Sequence, residues 1–84
     1  MSDVRVTVAY FAQTREFAGT KEDEFVLSSP ADVERLFSRV VKAHPRLKEI
    51  WGDIRTLVNG RAVLENVELK DGDRVALVPP VAGG

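Results

Sequence analysis

One stretch, residues 33–41, restricts the architecture more than any other. Apolar side chains fall at Val33, Leu36, Phe37, Val40 and Val41, the i, i+3, i+4, i+7, i+8 spacing that lays a single buried stripe along a helix. Glu34, Arg35, Ser38, Arg39 and Lys42 fill the other side. Ser29-Pro30-Ala31-Asp32 offers a serine N-cap, a proline for the first helical position and an acid for the first turn. His44-Pro45 closes the far end, because the residue before proline avoids the helical region. The pattern predicts about fourteen helical residues, roughly 21 Å long. A helix with one apolar stripe must lay it on another layer.

The rest of the chain supplies that layer as strands. Val4, Val6, Val8 and Tyr10 alternate with Arg5, Thr7, Ala9 and Phe11, which predicts a strand with the first set facing the core. The second set ends in Ala9 and Phe11, more apolar than a solvent face requires. Residues 12–19 break the alternation and read as a loop with one helical turn near Arg15-Glu16-Phe17-Ala18. Residues 24–27 predict a short strand antiparallel to the first. Leu47, Ile50 and Trp51 mark a packed connecting turn, with Trp51 at the core or its rim. Residues 54–58 and 61–64 flank Asn59-Gly60, a strong hairpin signal. Asp71-Gly72-Asp73 is a second turn, approached by Val67 and Leu69, whose carboxylates are better explained by turn hydrogen bonds than by a metal. Residues 74–78 alternate again, with Val75 and Leu77 on one face and Ala76 and Val78 on the other. The order β-β-α-β-β-β describes one α+β domain, a sheet with a helix across one face.

Composition narrows the function. The chain has 84 residues and no cysteine, which leaves out disulfides, iron–sulfur clusters, thiolate zinc sites and cysteine nucleophiles. Twelve basic and thirteen acidic residues leave a net charge of −1, without the excess a nucleic-acid partner calls for. No apolar run is long enough to span a membrane, and the opening residues do not resemble a signal peptide, so a cytoplasmic location is expected. His44, at the helix end, is expected to stabilise the helix C-terminus and not to bind metal. Glu22-Asp23-Glu24 reads as a solvated acidic face. Arg15-Glu16 either contacts a partner or pairs locally.

The chemistry is expected at the end of the chain. From Val75 onward the sequence is Val-Ala-Leu-Val-Pro-Pro-Val-Ala-Gly-Gly, without a charged side chain. Pro79-Pro80 stops the last strand and stiffens its exit. Residues 79–84 can then extend roughly 20 Å beyond a domain of residues 1–78. Gly83 and Gly84 carry no side chain, so a carboxylate on Gly84 can pass through a channel too narrow for a β-carbon.

Three segments carry a family resemblance. Residues 8–19, Val-Ala-Tyr-Phe-Ala-Gln-Thr-Arg-Glu-Phe-Ala-Gly, Leu57-Val58-Asn59-Gly60, and residues 69–84 with Asp71-Gly72-Asp73 and Pro79-Pro80-Val81-Ala82-Gly83-Gly84 resemble the MoaD-type sulfur carriers, small subunits of molybdopterin synthase in the ubiquitin-like β-grasp superfamily. Ala82 stands where that family commonly has serine or threonine, and Val78 where an aromatic can occur. The resemblance implies a β-grasp fold, one mixed sheet of four to five strands under one main helix. It implies a carrier rather than an enzyme, with no cofactor of its own. A partner adenylyltransferase, similar to ubiquitin-activating enzymes, would use Mg-ATP to adenylate the Gly84 carboxylate. A persulfide donor would convert the mixed anhydride to a thiocarboxylate. The tail (Pro80, Val81, Ala82, Gly83) would thread into the synthase large subunit, where the sulfur builds the dithiolene of molybdopterin. Phe11, Ala9, Ala76 and Val78, with Arg15, would form the partner-binding face. Three other functions share this outline: a ubiquitin-like modifier joined through Gly84 to lysines of target proteins, a thiazole sulfur carrier, and a β-grasp adaptor that only binds.

Overall fold

The computed structural model describes residues 2–79. Along the chain come β1 (Asp3–Tyr10), α1 (Gln13–Ala18), β2 (Glu22–Ser28), β3 (Ala31–Asp32), α2 (Val33–Ala43), a 3-10 helix (Pro45–Asp53), β4 (Arg55–Val58), β5 (Arg61–Val63), β6 (Glu68–Leu69) and β7 (Asp73–Val78). Five strands form one sheet in the order β2-β1-β7-β4-β5, and β3 pairs with β6 apart from it. β1 and β7 run parallel at its centre, and the flanking pairs are antiparallel. A mixed five-stranded sheet with one long helix across it is the ubiquitin-like β-grasp.

The strand alternation sorts the faces as the sequence implies. Val4, Val6, Val8 and Tyr10 of β1 are buried, with Val75 and Leu77 of β7 and Phe25 and Leu27 of β2 on the same side. Register places Val8 beside Val75 and Tyr10 beside Leu77. α2 lowers Val33, Leu36 and Val40 onto them, and Leu47 of the 3-10 helix and Leu69 of β6 close the ends. Phe37, half-buried, meets Trp51 edge-to-face at 4.7 Å between ring centroids, so Trp51 packs at the rim.

The helix start differs from the sequence expectation. α2 begins at Val33, and its cap is Asp32, whose carboxylate accepts from the Arg35 amide at 2.8 Å. Ser29 and Pro30 lie outside the helix. The reason is tertiary: Ala31 and Asp32 pair with Leu69 and Glu68, which holds their backbone extended and postpones the first turn. The amide of Arg35, and after it the Asn66 side chain at 3.2 Å, pull the Asp32 carboxyl below its ordinary range. A carboxyl lowered in the folded state stabilises above its unfolded pKa and ceases to do so as pH falls through the folded value. Asp32→Ala is therefore expected to melt earlier than the parent at neutral pH, and the gap should close in acid below the ordinary carboxylate range. Thermal denaturation at stepped pH measures both.

The turns match their signals. Asn59 and Gly60 have φ of 51° and 84°, the left-handed pair that a two-residue hairpin loop demands. Asn59 also exchanges hydrogen bonds with Arg74: its amide donates to the Arg74 carbonyl (2.7 Å), and its side-chain oxygen accepts from the Arg74 amide (3.0 Å). Asp71 accepts from the Arg5 amide and Asp73 from the Lys70 amide, each at 2.8 Å. Asp73 thus closes its own turn, as the sequence implies, whereas Asp71 ties the turn to β1 across 66 residues.

Candidate functional site

The sheet face opposite α2 is assembled by the same alternation that builds the core. β1 contributes Thr7 and Ala9, β7 Arg74, Ala76 and Val78, and β4 Arg55 and Leu57. Register runs one row across the sheet as Glu22, Ala9, Ala76, Leu57, Ala62, and sets Val78 beside Arg55 in the next. Ala76, Leu57 and Val78 are half-buried. Phe11, just past the end of β1, is 41% exposed. The result is a small apolar strip on the open face, ending beside the last residues of β7.

Ala9 behaves differently from its neighbours. It is only 3% exposed and offers a partner almost no surface of its own. The exposed Glu22–Arg74 ion pair, 3.0 Å long, reaches from β2 to β7 and therefore crosses β1 between the rows of Thr7 and Ala9. Leu57, which sequence reasoning left without a face, takes the place beside Ala76. The signal was available: Thr56 and Val58 pair with core-facing Leu77 and Val75, so alternation turns Leu57 outward.

Thr14 was also missed, and it holds the strip to the exit of β7. It is the one fully buried polar side chain among the described residues, with 0% exposure. Its hydroxyl accepts from the Phe11 amide at 2.8 Å, and its single proton is shared between the Phe11 and Leu77 carbonyls, each at 2.8 Å. The Phe11 amide also reaches the Leu77 carbonyl at 3.4 Å, and Ala12 follows with φ of 50°. α1 then runs to Gly19, which closes it in the left-handed conformation. No sequence pattern marks Thr14, because its partner Leu77 is 63 residues away.

Arg15 is exposed, and its Nε donates to the Tyr10 carbonyl at 3.3 Å. Among the described residues it forms no salt bridge with Glu16. Pro79 is half-buried at the end of β7. Pro80, Val81, Ala82, Gly83 and Gly84 lie outside the described residues.

One polar expectation changes. Asp23 is not part of a solvated acidic face: it turns to the helix side, where its carboxylate accepts from the Tyr10 hydroxyl at 3.0 Å and lies 2.6 Å from His44 Nε2. His44 accordingly ties the end of α2 to β2 through its ring, with Tyr10 edge-on at 5.5 Å. Alternation along β2 explains this, since Asp23 shares parity with buried Phe25 and Leu27. Burial, then the Asp23 hydrogen bond and charge, raise the Tyr10 phenol well above its ordinary range, so it stays a proton donor. Among the described residues no group of three or more metal-ligating side chains comes together, and no helix is long and apolar enough to cross a membrane.

Comparison with known proteins agrees with this geometry. The model of the ThiS family matches residues 8–84. The molybdopterin synthase sulfur carrier subunit of Chlamydomonas reinhardtii is 37% identical over 83 residues, covering 96% of this chain and all of that protein. The crystal structure of small archaeal modifier protein 1 from Haloferax volcanii superposes with a TM-score of 0.86 at 30% identity, covering 95% of this chain and 99% of the other. A chain of the complex of subunits 1 and 2 of molybdopterin-converting factor from Helicobacter pylori matches with a TM-score of 0.69 at 30% identity, covering 96% of this chain and 100% of that one. The whole-length match, the mixed sheet and the sequence segments converge: the chain belongs to the ThiS family, with the MoaD-type sulfur carriers of the ubiquitin-like β-grasp superfamily.

Proposed function

We propose that this protein is the sulfur carrier subunit of a molybdopterin synthase and is itself non-catalytic. The observation that carries the reading is the similarity to the Chlamydomonas carrier over 96% of the chain, together with a family match that runs through Gly84. In this reading residues 79–84 are an arm on a domain of residues 1–78. The Gly84 carboxylate attacks the α-phosphorus of Mg-ATP on a ubiquitin-activating-type adenylyltransferase, and pyrophosphate leaves. The outer sulfur of a persulfide donor then displaces AMP to give an acyl disulfide, and a second thiol attacks the donor's sulfur of that S–S bond, ending as a disulfide with the donor and releasing the Gly84 thiocarboxylate. Pro80, Val81, Ala82 and Gly83 carry that group into the large subunit, where its sulfur is given to the molybdopterin precursor. This chain supplies the carrier atom and the docking face, and its partners supply the catalytic side chains.

The test is the intact mass of the protein after co-expression with its cognate activating enzyme and sulfur donor. A species with one oxygen replaced by sulfur at Gly84, located by fragmentation, is expected. An unmodified terminus under those conditions would reject the reading.

The open strip of Phe11, Ala76, Leu57 and Val78 is the proposed docking face, with Arg15 at its edge. An aromatic set among small apolar residues is the type of anchor that dominates an interface. Phe11→Asp is expected to weaken binding to the large subunit by about tenfold or more, with the thermal midpoint preserved. Calorimetric titration measures the first and thermal denaturation the second. The likeness to small archaeal modifier protein 1 favours a second reading, in which the activated Gly84 is joined to lysines of other proteins. Branched peptides bearing the terminal Gly-Gly on lysine would establish it.

A further inference from the structure

The outer edge of β2 and the adjoining face of α2 border a cleft. β2 is an outermost strand of the sheet, and between it and α2 lies a concavity of about 310 Å³ lined by Leu27, Ser28, Arg35, Ser38 and Arg39. The bonds Tyr10 amide to Lys21 carbonyl and Ser29 amide to Ser2 carbonyl show which β2 residues pair with β1. They are the odd-numbered ones, so Val26 and Ser28 turn their amides and carbonyls to the free edge. Arg39 Nη1 donates to the Val26 carbonyl at 3.1 Å, and Arg35 Nη1 donates to the Pro30 carbonyl at 2.9 Å. Those carbonyls stand two residues to either side of Ser28. Each guanidinium is thereby tethered by one nitrogen, one on each flank of the Ser28 amide.

Arg35, Ser38 and Arg39 follow i, i+3, i+4 spacing and share one stripe of α2. Two arginines a helical turn apart repel, and neither forms a salt bridge among the described residues. Asp32 feels the charge of Arg35, but its own oxygens are taken by the Arg35 amide and Asn66. Each tether uses one Nη1 and leaves the other N–H groups of the guanidinium able to donate. Four residues with donors therefore line one cleft, bringing two guanidiniums, the Ser38 hydroxyl and the edge amide of Ser28. A carboxylate is satisfied by one arginine fork, whereas a tetrahedral dianion has acceptors for all four.

We propose that this cleft binds the phosphate group of a phosphorylated small molecule. The test uses the full chain, isotopically labelled, and titrates inorganic phosphate and then glycerol 3-phosphate at constant ionic strength, which removes nonspecific screening effects. Amide shifts confined to Ser28, Arg35, Ser38 and Arg39, saturating with a dissociation constant of about 1–10 mM, are expected. Tighter binding of the ester than of inorganic phosphate would identify the organic phosphate as the ligand. The double variant Arg35→Ala, Arg39→Ala should lose about tenfold or more. Ser38→Asp, which keeps both arginines and their backbone tethers but adds a carboxylate, should lose as much. Shifts that do not saturate, or that persist in both variants, would overturn the proposal, as would inorganic phosphate binding at least as tightly as the ester.

Discussion

Deletion of Gly84 is expected to lower sulfur transfer by at least about 10²-fold in a system reconstituted with activating enzyme, sulfur donor and large subunit. The shortened chain still ends in a carboxylate, now on Gly83, so chemistry at the terminus is not removed. It is displaced by one residue, about 3.3 Å, where a misplacement of about 1 Å can already cost about 10²-fold. Thermal stability is expected to stay within about 2 °C of the parent, because the buried core runs from Val4 to Leu77. Gly84→Ala separates reach from width: the carboxylate returns to its position, but a β-carbon must pass the same channel. Full transfer by the deletion variant would remove the terminal carbonyl as the carrier, and a collapse in stability would show that the tail is part of the folded body.

Thr14→Val should carry the largest stability cost among polar substitutions. Valine keeps the shape and removes the hydroxyl, leaving the Phe11 amide with only its longer 3.4 Å contact to the Leu77 carbonyl. The Phe11 amide and the Leu77 carbonyl each lose a hydrogen bond worth about 0.5–1.5 kcal/mol, and each kcal/mol moves the melting temperature of a domain this size by about 4–8 °C. Thr14→Ser retains the oxygen and should recover most of the loss. Urea denaturation gives the energies, and amide exchange at Leu77 and Val78 tests the local claim: both should exchange faster in the valine variant than global unfolding explains. Equal stability of the valine and threonine forms would mean that the Phe11–Leu77 junction does not depend on the hydroxyl. Because this junction lies two residues before Pro79, the valine form is also expected to present the proposed arm less uniformly.

Local periodicity was legible along the chain. Alternation in residues 4–10 and 74–78 named the core side of both central strands, the helical stripe named the face that α2 buries, and Asn59-Gly60 located the hairpin to the residue. These features are legible because each is set by neighbours a few positions away. Tertiary structure decided the rest. Pairing of Ala31-Asp32 with Glu68-Leu69 moved the helix cap from Ser29 to Asp32. Ala9 has little surface between its neighbours on β2 and β7, and Asp23 found Tyr10 and His44 on the helix side. Parallel pairing of β1 with β7 joined Thr14 to Leu77 across 63 residues. In each case the energy resides in a contact between segments distant in the chain, and a one-dimensional pattern carries no term for which distant segments meet.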